Sequence, residues 1–153
     1  MDKINLELKV KIAALAREKL HSQLAEIRQQ LSELSSSSAE EEKSSAGDKY
    51  ETQREMIKQS QLILDLQLSR TEAMINQLEK TPLQACDQVQ EGALVKLPIG
   101  WIWIGVALGK IADLEREYLF ISTDSPLFLA IKGLKSKQST LFRGTEMIIE
   151  DVI

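Results

Sequence analysis

The sequence predicts an α+β protein in which an antiparallel coiled-coil hairpin, residues 1–81, precedes a small antiparallel sheet domain with one short helix, residues 82–153. Glycine and proline, which interrupt helices, are scarce in the first part: of seven glycines and three prolines, only Gly47 precedes residue 82. Apolar residues there recur at spacings of three and four, as in a helix packed along one side. From Gly92 onward short apolar runs alternate with glycine, which is typical of strands.

The first arm of the hairpin carries one apolar stripe with the spacing of a coiled coil. Ala16 fills its widest gap, and the charged residues between its members, such as Lys9, Arg17 and Glu18, are predicted to face solvent. The members of the stripe are Leu8, Ile12, Leu15, Leu20, Leu24, Ile27, Leu31 and Leu34.

The second arm repeats this pattern less strictly, because Gln61 and Thr71 occupy positions that an apolar seam would use. Its apolar members are Ile57, Leu64, Leu68, Ile75 and Leu78. Two arms of similar length predict an antiparallel hairpin.

A serine-rich, acidic stretch, residues 35–47, is predicted to break the helix and turn the chain. Serine side chains compete with helical hydrogen bonds, and Gly47 tolerates positive φ. Asp48 is expected to be the N-cap of the second helix, with Glu51 completing a capping box. At about 1.5 Å per residue, arms of about 30 residues would carry this acidic tip, near residues 36–51, roughly 45 Å outward.

The second part begins where Pro82 is expected to end the second helix. Five runs are predicted to form one mostly antiparallel sheet: residues 93–97, 99–107, 118–122, 140–142 and 146–153. Ser125 as a cap, Pro126 in a first turn and Gly133 at the end predict a short helix against the sheet.

Composition excludes several classes of protein. A net charge of −4 argues against a duplex-coating or sequence-specific DNA-binding protein, which needs clustered Lys and Arg. Cys86 is the only cysteine, so the chain has no intrachain disulfide and no Cys-rich zinc site, which fits a reducing cytoplasm. The most apolar stretch, residues 97–109, is too short and too interrupted to span a membrane. We therefore expect a cytoplasmic protein without a membrane partner.

Residues for a self-contained enzyme are scarce. His21 is the only histidine, lies in the middle of the first arm and is expected to be an ordinary surface residue. Cys86 is far from it in sequence and is expected to have a structural or incidental role. No pair of glycines has the spacing of a phosphate-binding loop.

Two tryptophans allow two interpretations. Trp101 and Trp103 would lie on the same face of a strand, where they could stack on single-stranded RNA. Ile102 and Ile104 make the opposite face apolar as well, and a strand that is apolar on both faces favours burial.

The acids at the hairpin tip also allow two interpretations. Asp48 and Glu51 could be a helix cap within a solvated charged stretch. They also lie three residues apart, on one face of a first helical turn, at the end of a hairpin where packing does not require them. Two carboxylates cannot hold Mg²⁺ tightly alone, but they could complete a site whose other ligands belong to a partner.

This arrangement resembles the bacterial Gre-type transcript cleavage factors over nearly the whole chain. The tip motif of that family, Gly-Asp-x-x-Glu, corresponds to Gly47-Asp48-Lys49-Tyr50-Glu51. A second motif, Ile-Ser-x-x-Ser-Pro-Leu followed by a glycine, corresponds to residues 121–127 and Gly133. The resemblance implies an FKBP-like fold for the C-terminal domain.

The resemblance also implies a function as a transcription elongation factor that binds RNA polymerase. The hairpin tip would enter the secondary channel, and Asp48 and Glu51 would help the polymerase hold a shared Mg²⁺, so that it cleaves backtracked nascent RNA. The factor itself would be no enzyme, would hold no cofactor alone, and would meet the RNA 3′ end only within the complex. Ser125 and Pro126 are candidates for partner binding.

Departures from the family pattern keep other functions open. The family continues after the tip glutamate with Asn-Ala-Glu-Tyr, where this chain has residues 52–55, Thr-Gln-Arg-Glu. The Gly-Lys-x-x-Gly-Asp run expected after the short helix is also replaced. A secondary-channel regulator or inhibitor without cleavage stimulation is therefore an alternative, as are a prolyl isomerase and a coiled-coil scaffold.

Overall fold

A computed structural model describes residues 5–43, 47–113 and 115–153, with the backbone alone for residues 37–43 and 47–50. Two long helices, α1 (Leu6–Lys43) and α2 (Gly47–Lys80), precede seven short strands and one short helix. The chain forms two compact units. One is Lys19–Ile75, and the other combines Met1–Glu18 with Asn76–Ile153. The domain boundary predicted at residues 81/82 stays a prediction.

The unit Lys19–Ile75 is an antiparallel helical hairpin, as predicted. Its seam is most deeply buried at Leu20, Leu24, Ile27, Thr71 and Ile75. The polar seam residue Thr71 is compatible with burial because its hydroxyl donates to the Gln67 carbonyl at 2.8 Å. Nearer the turn, the seam residues Leu31, Leu34, Ile57, Leu64 and Leu68 are only half-buried.

The helix interruption predicted over residues 35–47 is shorter than expected, because α1 continues through the serines to Lys43 and α2 begins at Gly47. Serine costs a helix only about 0.5 kcal/mol relative to alanine, which an established helix tolerates. Asp48 consequently lies inside α2 and does not precede it as an N-cap. The turn itself, residues 44–46, falls outside the described residues.

The larger unit contains a five-stranded sheet and a separate two-stranded ribbon. The strands are β1 (Leu94–Leu97), β2 (Gly100–Gly105), β3 (Gly109–Ala112), β4 (Glu117–Ser122), β5 (Ser139–Phe142), β6 (Thr145–Ile148) and β7 (Asp151–Val152). The sheet has the order β3-β4-β2-β1-β7, and β5 pairs with β6. All pairs are antiparallel except β2 with β4, whose register sets Trp103 beside Phe120.

The predicted single sheet is therefore wrong in two respects. Strand β3 was not predicted, because its only buried residue is Ile111. The predicted last strand divides into β6 and β7 at Ile149 and Glu150. There the Ile149 amide bonds to Gln138 O at 2.8 Å and the Glu150 amide to Lys96 O at 2.9 Å, so the chain passes from the ribbon to the sheet.

The short helix α3 (Pro126–Ile131) forms as predicted. Ser125 is its N-cap, and the Ser125 hydroxyl accepts a bond from the Phe128 amide at 3.2 Å. Gly133, at φ +81°, follows the helix. The helix packs on one face of the sheet around a shared core of Val89, Ala93, Val95, Leu97, Ile102, Ile104, Leu127, Phe128, Ile131, Met147 and Ile149.

Among the described residues, no helix is both long and apolar enough to cross a membrane.

Candidate functional site

The predicted acidic pair lies at the start of α2. Glu51 is solvent-exposed. Asp48 belongs to the same helix, but its side chain lies outside the described residues. Residues three apart share a helix face, and negative charge is favoured in a first helical turn by the helix dipole. Within the described ranges, no group of three or more His, Cys, Asp and Glu side chains is arranged to hold a metal ion.

The predicted partner-binding residues lie at the start of α3, where Ser125 has the structural role of N-cap and Pro126 is exposed in the first turn. Their role in partner binding stays a prediction. His21 is exposed on α1, as expected for a surface residue.

The two tryptophans have different environments. Trp103 is 1% exposed and stacks on Phe120, with ring centroids 5.6 Å apart. Trp101 is half-buried and meets Tyr118 edge-on at 6.5 Å. The Arg116 guanidinium lies 4.6 Å and the Lys96 ammonium 5.4 Å from the Trp101 ring centroid. Burial, favoured by the apolar residues around the pair, is thus confirmed for Trp103 and is partial for Trp101.

Sequence reasoning missed a polar cluster around Lys9, which was predicted to face solvent but is 0% exposed. The Lys9 ammonium donates to the Gln84 carbonyl at 2.6 Å and lies 3.6 Å from Cys86 Sγ and 5.9 Å from the Trp103 ring centroid. Burial lowers the pKa of Lys9, and the neighbouring Cys86 opposes this. Lys9 is buried because the start of α1 packs within the larger unit, which contains the sheet. The local helical pattern does not predict this packing.

A second polar cluster joins β3 and β4 at Asp113. One carboxylate oxygen of Asp113 accepts from the amides of Glu115 and Arg116 at 2.8 and 2.9 Å, and the other accepts from the Tyr118 hydroxyl at 3.1 Å. The Lys11 ammonium lies 3.8 Å from Asp113 Oδ2. The amide of Arg116 is the largest influence that lowers the pKa of Asp113. Burial and the bond to Asp113 raise the pKa of Tyr118 to about 12.

No protein-family model and no curated protein sequence matches this chain. Solved structures of Gre-like proteins are similar to it. A structure of the transcription factor Gfh1 is 20% identical, covers 89% of this chain and 92% of its own, and has a TM-score of 0.35. The GreA factor homolog 1 (Gfh1) of Thermus thermophilus is 18% identical, with 90% and 94% covered and a TM-score of 0.33. Thermus aquaticus Gfh1 is 21% identical, with 91% and 94% covered and a TM-score of 0.32.

The motifs predicted a resemblance to Gre-type proteins, and these three structures are of proteins named as such factors or their homologs. At these identities and TM-scores, the likeness assigns this chain neither an activity nor a partner.

Proposed function

We propose that this chain is a Gre-type transcription factor that binds RNA polymerase, inserts its hairpin tip into the secondary channel and stimulates the polymerase to cleave backtracked RNA. The observation that carries the proposal is the pair Asp48 and Glu51, three residues apart in the first turns of α2, with Glu51 exposed. The motif of residues 121–127, which ends at the start of α3, supports the same family.

The proposed chemistry requires a partner that supplies most of the site. Carboxylate oxygens are the ligands that Mg²⁺ prefers, but the ion needs six ligands and two carboxylates provide too few. Asp48 and Glu51 would therefore contact the ion directly or through water while the polymerase holds it. A bound Mg²⁺ supplies a polarised water and stabilises charge on the phosphate under attack. The chain itself would be no enzyme.

A cleavage assay on stalled, backtracked polymerase tests the proposal. The double variant Asp48→Asn/Glu51→Gln should release 3′ RNA fragments about 10- to 100-fold more slowly than wild type, the usual effect of perturbing the surroundings of a metal ion. Asp65→Asn/Glu79→Gln is the matched control, because it makes the same change of charge at exposed positions of α2 away from the tip. Equal cleavage by wild type and the tip variant would refute the role of the two acids.

A secondary-channel regulator without cleavage stimulation is the second candidate, favoured by the departure from the family pattern at residues 52–55. It predicts that wild type binds polymerase and competes for the channel but releases no 3′ fragments. Failure of the intact chain to bind polymerase would exclude both candidates.

A further inference from the structure

The outward face of α2 carries an apolar stripe that no described residue of the hairpin covers. Met56, Leu62, Ile63 and Leu66 are 63%, 64%, 57% and 59% exposed. At about 100° per residue these side chains, with Gln59 between them, fall within an arc of about 120°. The seam that faces α1 is centred about 150° away on the helix. We call Met56, Gln59, Leu62, Ile63 and Leu66 the outer stripe.

The two ends of the outer stripe carry opposite charges. Glu55 lies on the same arc at one end and Arg70 at the other, and both are exposed. Glu55 precedes Leu62 by seven residues, and Arg70 follows Ile63 by seven. In the described part of the chain, neither forms an ion pair with another residue. Opposite charges therefore lie at equal distances on either side of a point midway between Leu62 and Ile63.

This symmetry is what a two-fold interface between identical chains requires, because each patch must then complement itself. Two α2 helices packed antiparallel about that point would set Leu62 against Ile63 of the second copy and Leu66 against Gln59. Glu55 of each copy would lie beside Arg70 of the other. We propose that the outer stripe is a homodimerisation surface in which two copies of α2 pack antiparallel.

The contact is small, since it uses about four turns of one helix face. Standard interfaces bury about 800 Å² per partner, and smaller ones are typically weak or transient. We therefore expect a reversible dimer whose fraction rises with concentration. The apolar centre would supply the attraction, and the two ion pairs at the rim would fix the antiparallel orientation.

Sedimentation velocity of the full chain over a range of concentrations tests the proposal. The single reversals Glu55→Arg and Arg70→Glu each place like charges together twice per dimer. Each should raise the dissociation constant about tenfold, which corresponds to about 1.4 kcal/mol. The double reversal Glu55→Arg/Arg70→Glu restores both pairs with opposite polarity and should return the constant to within about threefold of wild type.

Two further variants complete the test. Leu62→Glu/Ile63→Glu should abolish the dimer, with helix content unchanged by circular dichroism because both positions are exposed. Asp65→Arg is the matched control, since this exposed acid lies on a different face of α2 and should leave the dimer intact.

A monomer at every concentration would overturn the proposal, and so would a double reversal that dimerises no better than either single reversal. If the stripe variants lose polymerase binding while wild type stays monomeric, the stripe serves that partner and the proposal is also wrong. None of these outcomes depends on the activity of the tip acids.

Discussion

At the scale of single residues, Lys9 is the position that sequence patterning misplaced most clearly. A lysine between stripe positions of a helix normally extends into solvent, yet Lys9 is buried against Gln84 O, Cys86 Sγ and the Trp103 ring. Its partners come from residues 75 to 94 positions further along the chain. A local periodicity carries no information about such contacts. The acidic pair Asp48/Glu51 could be proposed from the sequence because its motif is short and local, and its role stays a prediction.

The lowered pKa of Lys9 predicts a pH dependence of stability. At pH values between the lowered pKa of Lys9 and its ordinary pKa of 10.5, the folded state binds fewer protons than the unfolded state. The free energy of unfolding therefore rises with pH in this range. The slope for one proton is at most about 1.4 kcal/mol per pH unit. Urea titrations of wild type and Lys9→Met should reveal this rise in wild type and its absence in the variant.

The urea titrations should be run below pH 10. Above pH 10 the raised pKa of Tyr118 makes the free energy of unfolding fall as the pH rises, which opposes the effect of Lys9. Lys58→Met, which removes an exposed lysine from α2, is the control and should keep the wild-type slope. Equal slopes for Lys9→Met and wild type would contradict the assignment to Lys9.

At the scale of elements, strong local signals were sufficient where they agreed with one another. Serine, proline and glycine at the two ends of α3 each fit their positions, and the helix formed where predicted. The serines of α1 gave a weak signal, since each costs a helix only about 0.5 kcal/mol relative to alanine. Strand β3 lacked a signal altogether, because an edge strand with one buried residue resembles a loop.

The cap of α3 provides a prediction at this scale. Ser125→Ala removes the acceptor for the Phe128 amide and should lower the free energy of unfolding by about 1 kcal/mol, whereas Ser125→Asn should stay close to wild type. Chemical denaturation measures both. Asn preserves the cap but changes the surface. If the chain binds RNA polymerase as proposed, weaker binding by Ser125→Asn at unchanged stability would indicate a docking role of Ser125 in addition to its structural one.

At the scale of the whole molecule, the base of α1 belongs to the same compact unit as the sheet. Residues 82–153 expressed alone should therefore leave Trp103 without the contact from Lys9 and should have red-shifted tryptophan emission and a lower Tm than the intact chain. The matched control replaces residues 19–75 with a short glycine-serine linker, which keeps residues 5–18 and 76–153 together. Wild-type emission from the isolated 82–153 fragment would contradict this prediction.

The division into units has a further consequence for how the chain can change over evolutionary time. Because the larger unit combines residues that precede and follow Lys19–Ile75, the hairpin is topologically an insertion within that unit. The arms join that unit in sequence at residues 18/19 and 75/76, so equal numbers of residues can be gained or lost from each arm without removing any residue of the sheet. One heptad removed from both arms would shorten each by about 10 Å and preserve the seam register. Arm length is thus a dimension that selection can adjust independently of the sheet.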